Sequence, residues 1–166
     1  SEEILWIASP SQCTSVTDIS TEIKRALQNP IGCPVLSELI QGNRAKISIL
    51  VDDFTRPTPA NLILPVLLEF LNDAGIKDDL ITIIIALGTH RYMSEKEIET
   101  KVGPEIYRRC NVINHQWMND SELVYIGESP SGIPIYINRH YYESDITIAI
   151  GNIVPHIYAG WSAGAK

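Results

Sequence analysis

Two runs of β-branched and aliphatic residues, "KISILVDD" (46–53) and "DLITIIIALGT" (79–89), constrain the fold most. Apolar side chains follow one another in both runs, so each strand must bury both of its faces. A parallel sheet covered by helices meets that condition. Between the runs, "TPANLILPVLLEFLNDAGI" (58–76) spaces its apolar residues as a helix with a threonine or proline start. After them, "SEKEIETKVGPEIYRRC" (94–110) opens with Ser94 and Glu97 placed as a capping box. Strand, helix, strand, helix predicts an α/β fold: a Rossmann-like, mostly parallel sheet with helices on both faces.

The remaining segments fit around that frame. A helix is expected near residues 17–26, a turn at "NPIG", and a short helix in "PVLSELI" with proline near its start. "ELVYIGE" and "IPIYINR", separated by "SPSG" (129–132), predict a β-hairpin, and "YYESDITIAIGN" (141–152) returns to an apolar strand. A short apolar stretch, Ile4 to Ala8, lies near the start of the chain.

Composition excludes several classes. The 166 residues are 45% apolar and 20% charged, the balance of a single globular domain. The longest apolar runs fall short of the roughly 20 residues a membrane span needs, and no secretory leader pattern opens the chain. A net charge of −7 argues against nucleic acid or anionic membrane as partners, because both are bound through basic patches. Cys13, Cys33 and Cys110 are widely spaced and form neither a zinc cluster nor a disulfide framework. These features lead us to expect a cytoplasmic protein with reduced thiols.

The unusual residues fall where apolar strands end. "DDFTRPTP" (52–59), "GTHR" (88–91) and "GNIVPHIYAGWSAGAK" (151–166) each begin at such a point, and ligands of open α/β sheets sit outside the carboxyl ends of the strands. Arg56 stands in a proline-flanked turn directly before a helix, where its planar fork could grip a carboxylate or phosphate. Asp52 and Asp53 suit either a solvated strand end or a functional site. His90 and His156 lie at two different strand ends, and a facing pair of imidazoles can supply one base and one acid at one pH. His115 and His140 read as structural or surface residues. Gly160, Gly164 and their small neighbours would admit backbone amides to a phosphate. Lys166 is either a surface amine or, if its pKa of about 10.4 is lowered, a nucleophile.

Taken together, these three motifs and the upstream "NPIG" resemble the lactate racemase family, whose enzymes use a nickel-pincer nucleotide. The resemblance covers essentially the whole chain. It implies that residues 1–166 are the amino-terminal catalytic domain of a two-domain α/β protein, inactive alone because the carboxy-terminal domain is missing. It implies His90 and His156 as the acid–base pair, and Lys166 as the thioamide attachment of the cofactor, with Thr55, Ser162 and Gly164 as further cofactor contacts. Asp53 and Arg56 would hold substrate or cofactor anions, and a nickel-ligating histidine is expected beyond the chain end. The implied partner is a small anionic 2-hydroxy acid, racemised or epimerised by hydride transfer. Ala163 stands where the family usually has glycine. Two other functions stay open: a same-family epimerase of a larger hydroxy acid or sugar acid, and a non-catalytic module that binds a nucleotide or other anion.

Overall fold

The structure is a computed structural model and describes residues 16–40, 42, 44–158 and 160–162. The two apolar runs form β1 (Ile47–Val51) and β2 (Ile81–Ile85), which pair in parallel, Ile47 beside Ile81 through Val51 beside Ile85. Asn111–Asn114 (β3) joins the outer edge of β2, and β6 (Ile146–Ile150) joins the other edge of β1, both parallel. The sheet order is therefore β3-β2-β1-β6. Counting parallel strands alone, the order is third, second, first, fourth, so the direction of winding reverses between β1 and β6. In doubly wound sheets that reversal opens the ligand crevice.

Six helices accompany the strands among the described residues: α1 (Ile19–Gln28), α2 (Leu36–Leu39), α3 (Ala60–Asp73), α4 (Glu95–Val102), α5 (Pro104–Arg109) and α6 (Arg139–Tyr142). β4 (Leu123–Glu128) and β5 (Pro134–Asn138) form the expected hairpin, with a bulge between Tyr125 and Gly127. One sheet face, built by Ile47, Ile49, Val51, Ile81, Ile83 and Ile85, meets Leu64, Leu67, Leu68 and Leu71 of α3, Ile98 and Val102 of α4 and Ile106 of α5. The opposite face is more lightly covered. There Ser48 bonds to the His140 carbonyl of α6, while Thr147 and Ala149 of β6 are exposed.

Because Leu68 is fully buried in this core, Leu68→Ala is expected to cost about 2–5 kcal/mol through lost contacts and a residual cavity. Denaturant unfolding checks this, and a loss well under 1 kcal/mol would mean that α3 does not pack as described.

Several expectations needed adjusting. The helix read over 94–110 is two helices, because Gly103 adopts a φ of 91° that β-carbon residues rarely adopt and Pro104 then starts α5. The last strand is shorter than 141–152, since residues 139–142 coil into α6, capped by the Asn138 side chain. The capping box at Ser94 and Glu97 is formed in full. Thr58 does not cap α3; its hydroxyl donates to the Asp52 carboxylate instead. The segment 4–8 lies outside the described residues. Among those described, no helix is long and apolar enough to cross a membrane.

Candidate active site

The parallel register brings the loops after β1, β2 and β6 out side by side, since Val51 lies level with both Ile85 and Ile150. In the first loop Asp53 is almost completely buried. Its Oδ1 accepts the amide of Thr55 at 3.0 Å and the Thr55 hydroxyl at 2.5 Å, a self-contained aspartate turn. Its Oδ2 meets Nδ1 of His90 at 2.5 Å across the gap between strands. Burial alone would raise the Asp53 carboxyl, but hydrogen bonds from Thr55 and His90 outweigh it and hold the group below the usual carboxylate range.

This geometry sets the chemistry of His90. A carboxylate can only accept, so Nδ1 carries the proton and the basic lone pair falls on Nε2. Half of the side chain is exposed, leaving room for a reactant there. The backbone around it is fixed as well. The amide of His90 donates to the Leu87 carbonyl in a turn through Gly88 at φ 59°, and Trp117 donates its indole N–H to the His90 carbonyl at 3.3 Å. Asn114, at the end of β3, grips both the amide and the carbonyl of Met93.

Asp53 was expected to help hold an anion. In the structure its two oxygens are engaged by Thr55 and by Nδ1 of His90. Arg91 is also accounted for: it pairs with both oxygens of Glu97 at 2.9 and 2.7 Å and lies over the Phe54 ring. That pairing, with help from Ser94, holds the Glu97 carboxyl at about 2. Arg56 differs. Its guanidinium contacts the Thr55 hydroxyl at 3.1 Å, and among the described residues it forms no ion pair. It lines a groove of about 460 Å³ with Phe54, Asn61, Lys96 and Thr100. A larger groove of about 590 Å³, between α1 and α3, is remote from the strand ends.

Sequence reading missed Lys101, which reaches from α4 into this first loop and pairs with Asp52 at 2.7 Å. The available signal was its place beside the buried stripe of Ile98 and Val102, at the helix turn facing two consecutive aspartates.

The third loop folds separately as a small ladder, β7 (Pro155–His156) against β8 (Gly160–Trp161). The half-buried His156 accepts the Tyr158 amide at Nδ1, 3.2 Å away. In its neutral form the proton therefore sits on Nε2, the reverse of His90. Ser162 is buried and closes the loop on Val154, giving its hydroxyl to the Val154 carbonyl and accepting the Val154 amide. Asp53, Thr55, Arg56 and His90 are thus gathered at the ends of β1 and β2, whereas His156 and Ser162 stand on the loop that leaves β6. The two groups flank the reversal in strand order. Gly164 and Lys166 lie outside the described residues.

The implied nucleotide cofactor can be set against these donors. The hydroxyls of Thr55 and Ser162 are already given to Asp53 and to a carbonyl, so each would have to exchange its present acceptor to meet a phosphate. Among the described residues no group of three or more His, Cys, Asp or Glu could hold a metal ion.

His115 and His140 take structural places. His140 lies 3.6 Å from Glu122. The Asn138 amide, its oxygen already taken by the Tyr141 amide, faces Nδ1 of His115 with its N–H₂. Burial pushes the His115 imidazole below its ordinary value. The unfolded chain therefore binds a proton near pH 6.5 that the folded chain resists, and stability falls as pH drops below about 6.5 until the folded group also titrates. His115→Gln is expected to flatten that part of a stability–pH curve measured by urea unfolding; an unchanged slope would remove His115 from the account.

Comparison with known proteins places this geometry in context. A family model described as the lactate racemase N-terminal domain matches residues 1–166. The lactate racemase of Thermoanaerobacterium thermosaccharolyticum is 37% identical over 144 residues, covering 87% of this chain and 33% of the relative. That of Lactiplantibacillus plantarum is 38% identical over 144 residues, 87% of this chain and 34% of the relative. The solved lactate racemase apoprotein from T. thermosaccharolyticum superposes with a TM-score of 0.80 at 35% identity, over 87% of this chain and 34% of that one. The chain thus spans about a third of the length of these relatives.

Proposed function

The chain belongs to the lactate racemase N-terminal domain family, and on that premise we propose that its strand-end site exchanges the configuration of a 2-hydroxy acid. The observation that carries this reading is the opposed setting of two imidazoles. Asp53 fixes the proton of His90 on Nδ1, and the Tyr158 amide fixes that of His156 on Nε2. In their neutral forms the two rings thus carry their protons on opposite nitrogens, the pairing of one base with one acid that a reaction symmetrical between donor and acceptor requires.

The α-hydrogen of an ionised hydroxy acid is too weakly acidic to leave as a proton, because a dianion would form. Its departure as hydride avoids that charge. In this proposal a nickel-pincer nucleotide carried on Lys166 supplies the hydride acceptor when bound. The protein's part is proton transfer and orientation. Nε2 of His90 takes the hydroxyl proton, and the buried Asp53 carboxylate stabilises the imidazolium that results. For the product of opposite configuration, His156 would supply the hydroxyl proton from the other side of the planar keto acid. For the opposite enantiomer the two histidines exchange roles. Arg56, unpaired among acids of the described residues, would take the substrate carboxylate through two parallel bonds. The contacts of Thr55, Ser162, Gly164 and Lys166 to the cofactor belong to the same proposal, as do a further domain completing the cleft and a cytoplasmic setting.

Incubating the full-length, cofactor-loaded protein with enantiopure lactate and larger hydroxy or sugar acids, followed by chiral chromatography, tests the reading. Appearance of the opposite enantiomer supports it, and the acid converted fastest sets the substrate size. No exchange with any acid of the panel would sink it.

A further inference from the structure

The ammonium of Lys101 is surrounded by one loop. Its side chain is only 9% exposed; it donates to the Arg56 carbonyl at 3.0 Å and the Thr58 carbonyl at 3.2 Å, and forms an ion pair with Asp52 Oδ1 at 2.7 Å. The other oxygen of Asp52 accepts the hydroxyl of the buried Thr58. Residues 52–58 are therefore closed around a cation that comes from α4, about 45 positions along the chain. An exposed ion pair of this kind would contribute little; here both charges are largely withdrawn from water, and removing one partner leaves the other buried without compensation.

We propose that Lys101 is a positioning residue for the anion grip: by holding the carbonyls on either side of Pro57, it fixes where the Arg56 guanidinium can reach. The contacts are selective. Asp53 is held to Thr55 and to His90, not to Lys101, so loosening the lock should weaken carboxylate binding more than proton transfer. α4 is itself fixed by its capping box and by Arg91 on Glu97, which gives the cation a rigid base. The link to substrate rests on the hydroxy acid reading given above; the lock on the loop does not.

The test uses the full-length protein and two variants. Lys101→Met leaves Asp52 buried and unpaired, and Asp52→Asn with Lys101→Met removes both charges, so the second keeps the experiment decisive if the first fails to fold. Hydrogen exchange is expected to rise about tenfold or more at the amide of Arg56, with the Thr55 amide, β1 and β2 unchanged. In the cofactor-loaded enzyme KM for the acid is expected to rise about tenfold with kcat within about threefold. Unchanged exchange in the loop overturns the proposal, and so does faster exchange with an unchanged KM. Absence of turnover in the unsubstituted protein would count against the hydroxy acid reading alone, and the exchange measurement would still decide whether Lys101 holds the loop.

Discussion

Replacing Asp53 with asparagine is expected to lower kcat by about 10²–10⁴-fold with little change in KM, by analogy with other carboxylate–histidine pairs. The side chain keeps its size and its place in the turn with Thr55. What changes is the atom facing His90: an amide N–H₂ can stand where a carboxylate oxygen accepted. A donor against Nδ1 forces the imidazole into its other tautomer, with the proton on Nε2 and no lone pair toward the substrate. Stability should fall as well. The Asp53 carboxyl titrates below its ordinary range in the fold, so its ionised form stabilises the protein above about pH 3.9 and that contribution is lost as pH falls through the lower folded value. Steady-state kinetics of the cofactor-loaded, full-length protein decide the point. A variant with unchanged kcat would show that Asp53 is only part of the loop's scaffolding.

The second large effect concerns the two histidines together. His90→Gln and His156→Gln are each expected to reduce turnover about 10²–10⁴-fold in both directions, because in the proposed mechanism every exchange of configuration uses one ring to take the hydroxyl proton and the other to supply it. Binding of a small hydroxy acid, measured by calorimetry, should change far less. This separates catalysis from the remaining alternative, a module that only holds an anion: such a module would keep its ligand and have no turnover to lose. If one histidine variant retained full activity in both directions, the paired role would be wrong even though the family would stand.

The central strands and the helix between them were legible because burial on both faces leaves a direct mark: isoleucine and valine at consecutive positions in 47–51 and 81–85. β3 left no such mark. It is a short edge strand whose four residues begin and end in asparagine, and its Asn114 serves to hold Met93 rather than to fill a core. The break between α4 and α5 was present as Gly103-Pro104, but the helical spacing on both sides obscured it. β6 alternates between half-buried and exposed positions, as an edge strand does, so its apolar residues did not define where it begins.

The site shows the same division. Motif positions at strand ends marked Asp53, Arg56, His90 and His156, because a parallel sheet delivers all its carboxyl ends to one edge. Their partners were not legible. That Asp53 orients His90 depends on two neighbouring strands ending at the same level, and that Lys101 holds the Arg56 loop depends on how α4 packs beside α3. Each is a distance across the fold, set by register and packing rather than by any local run of residues.

The central claim is that two imidazoles are held in opposite tautomers by their own partners before any substrate arrives. Nitrogen NMR of protein labelled with ¹⁵N-histidine, at a pH where the rings are neutral, measures this directly. The proton of His90 is expected on Nδ1 and that of His156 on Nε2, with the His90 pattern reversing in Asp53→Asn. Finding His90 protonated on Nε2 in the unsubstituted protein, or unaffected by the loss of the carboxylate, would contradict it.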